Sequence, residues 1–165
     1  IESGHIDTLH SYTNAQTQLD NYHKKPRRGR AAPLNKVQTS TGAATAVSKV
    51  LPHLQGRLSG NAVRVPPPNV SLVILHLEVR QSVTAEAVNA ALRQAALHGP
   101  FVEQIHYSSS PDYVSTQAVG MTSTSVVDAP STIVGSSGQR ITIYAWYDNE
   151  FGYACQVVRL AKHAA

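Results

Sequence analysis

The chain has 165 residues, 42% of them hydrophobic and 15% charged, with a formal net charge of +4. That balance excludes a disordered polyelectrolyte, and the length suits one core rather than two. One cysteine excludes an internal disulfide; the longest apolar run, VSLVILHLEV, is interrupted by His76 and Glu78 far short of the roughly 18–20 residues that cross a bilayer, which excludes a membrane span. No leader pattern heads the chain, so a cytoplasmic location is expected. The positive excess is local: Lys24, Lys25, Arg27, Arg28 and Arg30 supply five of the 14 basic residues, and the other nine roughly balance the 10 acids.

In chain order, residues 5–12 read as a strand leading into a long polar segment, 13–40, and connections of that length are usually functional or disordered. GAATAVSKVL predicts a helix with Thr41 or Gly42 at its N-cap and Pro52 at its end, a start that suits an anion. NAVRV (61–65) and NVSLVILHLEVR (69–80) predict strands joined by Pro66-Pro67-Pro68. In the second, Val73, Leu75, Leu77 and Val79 share one face, and Ile74, His76, Glu78 and Arg80 share the other.

Residues 84–98 predict a helix: Val88, Ala91, Leu92, Ala95 and Ala96 form a stripe, Thr84 caps it, Val83 and Val88 staple it, and Gly99-Pro100 ends it. Further strands are expected around 112–116, 123–128, 131–135 and 139–147, broken by Pro130 and the turn at 135–138. A last helix follows Asp148 or Asn149 and carries Tyr153, Val157, Val158 and Leu160. Strands outnumber helices without regular alternation. The expected fold class is therefore α+β, a mostly antiparallel (mixed) sheet with helices packed on one face.

Among eight histidines, His10 has the most chemical company, closing an apolar strand and opening a polar loop. A histidine so placed is more often a hydrogen-bonded structural residue than a catalyst. The other seven show no metal-ligand spacing, so no metal site is expected. The cationic run reads as a solvated loop, a nucleic-acid patch or a small-anion site. Its single aromatic neighbour, Tyr22, weakens single-strand stacking, whereas Arg64 between Val63 and Val65 needs a partner and favours a discrete anion site. Cys155 lies inside a helix pattern, where an inert thiol is the ordinary state. Asn149 in WYDNEFGY either meets a planar ligand or caps the helix. No GxGxxG or GxxxxGK[ST] occurs.

LHSYTNAQ, RRGRAA, TSTGAATAVSKVLP, NAVRVPPPNVS and WYDNEFGY together resemble, in order and spacing, the catalytic domain of phosphorylating glyceraldehyde-3-phosphate dehydrogenases, across essentially the whole chain. The resemblance implies a general base at His10. It implies a substrate-phosphate site at Thr13 and Arg64 with Arg28 from the loop, Arg27 being the alternative register. An inorganic-phosphate site is implied at Thr41 and Gly42 with Arg64, and nicotinamide contacts at Asn149 and Tyr153. Residues 13–35 resemble the family's S-loop.

The implied cofactor is NAD, the substrates are a phosphorylated aldehyde and inorganic phosphate, and the implied assembly is a homotetramer. The family's nucleophilic cysteine lies in an SCTTN-like motif upstream of the His10 position. Neither that motif nor a Rossmann domain occurs in this sequence, so residues 1–165 are expected to be the C-terminal catalytic domain, inactive alone. Pro67 stands where Thr is common, and Gln117 where Asp is usual. Erythrose-4-phosphate dehydrogenase is an alternative, as is a noncatalytic module binding RNA or a protein through the basic S-loop.

Overall fold

The computed structural model describes residues 1–165. It runs β1 (Ser3–Ser11), β2 (Val37–Ser40), α1 (Ala43–Val50), β3 (Leu58–Val65), β4 (Ser71–Glu78), α2 (Ala85–Leu97), β5 (Ile105–Ser108), β6 (Ser125–Asp128), β7 (Ile133–Val134), β8 (Arg140–Tyr147) and α3 (Asn149–Ala164). The strands form one sheet in the order β2-β3-β1-β4-β8-β6-β5, with β7 on β8. β1 with β3 and β5 with β6 are parallel, and every other pairing is antiparallel.

Residues paired across a ladder share a face, so the register assigns each side chain. Ile6, Ala62, Leu75, Ile143, Ala145 and Val127 line one face. α1 covers it: a Cβ on Gly60, the partner of Ile6, would lie 3.2 Å from the Thr41 side chain. α2 covers its far end, forming a cleft with Ile105 and Tyr107, whose register matches Val127. On the opposite face Leu9, Val63, Leu72, Ile74, Tyr144 and Trp146 are only half-buried or exposed. There His5 and His76 face each other across β1 and β4, and both reach Asp7, at 3.5 and 3.2 Å.

Local chemistry explains the boundaries. Thr84 caps α2 by accepting the Ala87 N–H at 3.2 Å, and Gly99 at φ +90° lets the chain leave the helix in a conformation other residues resist. Asp148, 4% exposed, caps α3 by accepting the Phe151 N–H at 3.0 Å, and its other oxygen accepts from the Gly120 N–H and the Asn69 amide. Burial pushes this carboxyl up, but those donors outweigh it and hold it below its ordinary value. Its stabilisation is therefore present above about pH 4 and is lost as pH falls through the folded pKa. Asp148→Ala strands three donors and is expected to cost about 2–4 kcal/mol in urea unfolding at pH 7.

Several expectations need revision. The segment 13–40 ends in β2, which pairs with β3. Residues 112–116 are not a strand: the Gln117 side chain accepts the Val114 N–H at 2.7 Å and closes a helical turn over Ser115–Ala118. A strand at Ile105–Ser108 was not expected. In α2, Ala91 is exposed while Asn89 turns inward, donating to the Ala129 carbonyl and accepting from Thr132. In α3 the polar side packs inward. Gly152 is buried near the Ser123 carbonyl, Gln156 donates to the Thr122 carbonyl and Arg159 pairs with Glu103, while Tyr153, Val157 and Leu160 face outward.

Candidate active site

Strand register sets a row of side chains across one end of the helix-covered face. His10 pairs with Arg64 across β1 and β3, and Ser71 pairs with Tyr147 across β4 and β8. Because Leu9 pairs with Leu72, Ser71 falls next to His10. The four residues come from neighbouring strands, so the sheet itself fixes their spacing.

The carbonyl of Ser11 organises the first two. It lies 2.7 Å from His10 Nδ1 and 2.9 Å from an Arg64 terminal nitrogen. A carbonyl has two lone pairs, and an arginine can only donate, so Nδ1 is assigned the proton and both groups donate to this oxygen. The same Arg64 terminal nitrogen lies 2.7 Å from Nδ1. Nε2 keeps its lone pair. Burial lowers the His10 pKa and outweighs the Ser11 carbonyl, which raises it; the Arg64 charge lowers it further, opposed by Glu150. A neutral imidazole results at pH 7, held edge-on to Tyr147 with ring centroids 6.4 Å apart. Burial raises the Tyr147 pKa, keeping its hydroxyl protonated beside Ser71.

The lowered His10 pKa has a stability consequence. Between the folded pKa and about 6.5 the unfolded chain binds more protons. Stability is therefore full above about pH 6.5, falls as the solution is acidified below it, and levels off once the folded pKa is passed. Urea midpoints measured from pH 7 to 5 should show this component in the wild type and lose it in His10→Gln.

Arg64 has no carboxylate partner. Burial lowers its pKa first, and the positive charge of Arg28 lowers it again. Arg28 reaches this place from the short helical turn Pro26–Gly29 and donates to Thr39 Oγ1 at 3.0 Å. The Nε atoms of both arginines are buried without a hydrogen-bond partner. Two desolvated guanidiniums with unspent donors and no counter-charge make an anion site by construction. Beside them, Lys24, Lys25, Arg27 and Arg28 border a cleft of about 490 Å³ with Gln38, Thr39 and Ser40. Arg27 donates to Gln38, so Arg28 is the residue that reaches toward Arg64.

The loop bearing these cations is tied down. Thr17 donates to the Gly29 carbonyl, Asn21 N–H to the same oxygen, and Asp20 accepts from Ala31 N–H and Arg30. Thr13 stands two residues past β1, and its carbonyl takes the Gln16 N–H. Thr41 and Gly42 open α1 beside Gly60, four residues before Arg64 on β3, about 13 Å along the strand; no hydrogen bond joins them to Arg64. Thr41 Oγ1 accepts the Ala43 N–H at 3.2 Å.

Asn149 and Tyr153 lie one turn apart on α3, both exposed, with side chains that make no hydrogen bond within the chain. Glu150, between them, is the carboxylate whose charge reaches His10 and Tyr147. The Asn149 amide and the Tyr153 ring are thus uncommitted at the surface of the first turns of α3. Cys155 is half-buried in a separate cleft with Arg159, Lys162 and Glu103. No group of three or more His, Cys, Asp or Glu side chains is arranged to hold a metal ion.

Sequence reasoning missed Tyr147, Ser71 and the Ser11 carbonyl. Tyr147 sits inside WYDNEFGY, so its signal was present, but only strand register shows it facing His10.

Comparison with known proteins gives a consistent answer. A family model described as glyceraldehyde 3-phosphate dehydrogenase, C-terminal domain, matches residues 1–149. The chain is 53% identical over 165 residues to a glyceraldehyde-3-phosphate dehydrogenase-like protein of Pseudomonas aeruginosa, covering all of this chain and 35% of that one. It is 52% identical to glyceraldehyde-3-phosphate dehydrogenase 1 of Bacillus subtilis, covering 48% of it. To the chloroplastic glyceraldehyde-3-phosphate dehydrogenase A of Chlamydomonas reinhardtii it is 46% identical, covering 43%. The chain thus spans half or less of the length of these curated relatives.

Proposed function

Since the chain belongs to the glyceraldehyde 3-phosphate dehydrogenase C-terminal domain family, we propose that it is the catalytic half of an NAD-dependent phosphorylating aldehyde dehydrogenase, converting D-glyceraldehyde 3-phosphate to 1,3-bisphosphoglycerate in glycolysis. The observation that carries this reading is the neutral imidazole of His10 set beside two guanidiniums that lack any counter-charge.

In this reading the nucleophilic thiol and a Rossmann domain lie outside residues 1–165. His10 Nε2 takes the thiol proton as sulfur adds to the aldehyde carbon, gives it to the alkoxide so formed, and takes that hydroxyl proton back from the hemithioacetal as hydride leaves. Arg64, Thr13 and Arg28 hold the phosphate the substrate already carries. Thr41, the Gly42 amide and Arg64 receive the inorganic phosphate that attacks the thioester. Asn149 and Tyr153 orient the nicotinamide ring, and bound NAD would supply the hydride acceptor. Arg64 and Arg28 are pre-oriented by Ser11 and Thr39, so little ordering remains when an anion arrives.

Homotetramer assembly and a cytoplasmic location belong to the same proposal. The half-exposed apolar face of the sheet and the outward Tyr153, Val157 and Leu160 of α3 are unusual for a free monomer surface and suit contacts with further protein. No helix is long and apolar enough to cross a membrane.

The test is NADH formation by the full-length protein that carries this chain. Glyceraldehyde 3-phosphate with inorganic phosphate should give steady turnover, and omitting phosphate should reduce it to a stoichiometric burst. Turnover indifferent to phosphate would refute the reading. Comparing kcat/KM for glyceraldehyde 3-phosphate and erythrose 4-phosphate identifies the aldehyde.

A further inference from the structure

The Ser11 carbonyl orients both His10 and Arg64, so whatever fixes that carbonyl fixes the site. Ser11 is buried, and it is held from behind by the start of β4. Its N–H donates to Ser71 Oγ at 3.3 Å, and its hydroxyl donates to the Val70 carbonyl at 2.7 Å. Val70 is itself unusual, with φ at 63°. A β-branched residue in the left-handed region is strained and persists only where its surroundings over-determine it.

Those surroundings are specific. The Val70 N–H donates to Asn69 Oδ1 at 2.7 Å, and Asn69 Nδ2 donates to Asp148 Oδ2 at 3.2 Å. Asp148 caps α3, the helix that carries Asn149 and Tyr153. One continuous path therefore runs from the α3 cap through Asn69 and Val70 to Ser11, and from its carbonyl to the imidazole and the guanidinium. Asn69 spans the gap with both ends of its amide, a role that needs one acceptor and one donor on a short stem.

We propose that Asn69 and Val70 form a positioning strut, which ties the start of α3 to the Ser11 carbonyl and so holds the His10 tautomer and the Arg64 donors in register with that helix. Neither residue touches a reacting atom. The inference rests on His10 serving as the base, and it predicts that the strut sets the direction of the Nε2 lone pair rather than only the stability of the fold.

The test uses the full-length protein labelled with ¹⁵N-histidine, in the wild type, Asn69→Ala and Asn69→Asp. Asn69→Asp keeps the oxygen that accepts the Val70 N–H and replaces the donor to Asp148 with a repelling carboxylate, so its tautomer and phosphate readouts, which the added charge does not mimic, decide the matter if Asn69→Ala fails to fold. Wild-type His10 should show a single tautomer protonated at Nδ1, titrating below 6.5. In the variants the ring should populate both tautomers and its titration should move up toward 6.5. Binding of inorganic phosphate should weaken about three- to tenfold, the factor expected for roughly one hydrogen bond's worth of positioning. Variants that melt earlier yet keep the tautomer, titration and phosphate affinity of the wild type would overturn the proposal and leave the contacts purely structural. Tautomer and phosphate binding are read without turnover, so a full-length protein with no dehydrogenase activity would count against the function above and leave this result standing.

Discussion

His10→Asn in the full-length protein is expected to lower kcat by about 10²–10⁴-fold, the usual contribution of a positioned general base. The site gives the imidazole two properties that asparagine cannot reproduce. Its Nδ1 proton is committed to the Ser11 carbonyl, leaving Nε2 as an acceptor of fixed direction. Burial and Arg64 keep the ring neutral, so the acceptor is present at pH 7 without waiting for deprotonation. Asparagine can donate to the same carbonyl and keep the packing, which separates lost chemistry from lost structure. The acid limb of kcat/KM should lie below 6.5 in the wild type. A variant with unchanged kcat, or a wild-type limb well above 6.5, would remove His10 from the mechanism.

Arg64→Met is expected to have the second largest effect, raising KM for the phosphorylated aldehyde about 10²-fold or more. Charge-assisted hydrogen bonds contribute about 1.5–3 kcal/mol each, and the guanidinium offers more than one to a phosphate. Stability should move the other way. Arg64 is desolvated next to Arg28 with no carboxylate in reach, so a neutral side chain of similar length should leave the fold unchanged or more stable. Loss of the Arg64 charge should also raise the His10 pKa. Reduced stability with unaltered KM would mean that the residue is structural. Arg64→Lys should behave nearly as badly as Arg64→Met toward substrate, because a point charge cannot reproduce the fork that reaches both the Ser11 carbonyl and an anion.

The residues that were legible in the sequence are those whose local chemistry is self-contained. Thr84 and Asp148 announce helix starts, and the alternation in 71–78 announces a strand with one buried face. What escaped depends on partners distant in sequence. Ile105–Ser108 is only four residues long and becomes a strand because β6 lies parallel beside it. Residues 112–116 look β-prone, yet the Gln117 side chain takes the Val114 N–H that a ladder would need. The apolar residues of α3 correctly mark a helix but not the side facing this domain, where Gly152 allows close approach to Ser123 and polar contacts do the rest.

The candidate active site divides the same way. His10 and Arg64 stand out by residue type, and Arg28 by its cationic company. Their convergence is set by the parallel register of β1 with β3 and by an organising atom, the Ser11 carbonyl, that belongs to the backbone. Sequence patterns carry no signal for a carbonyl's direction, and none for the left-handed Val70 that supports it.

A crystal structure of the full-length protein grown with inorganic phosphate offers the most direct check on the guanidinium pair. The expected map shows a phosphate within hydrogen-bond distance of Arg64 and Arg28, their Nε donors engaged, with His10 Nε2 open to the same cavity. Arg64 and Arg28 swung apart to solvent, with no phosphate at the guanidinium pair even at millimolar concentration and whether or not one sits at Thr41 and Gly42, would contradict it.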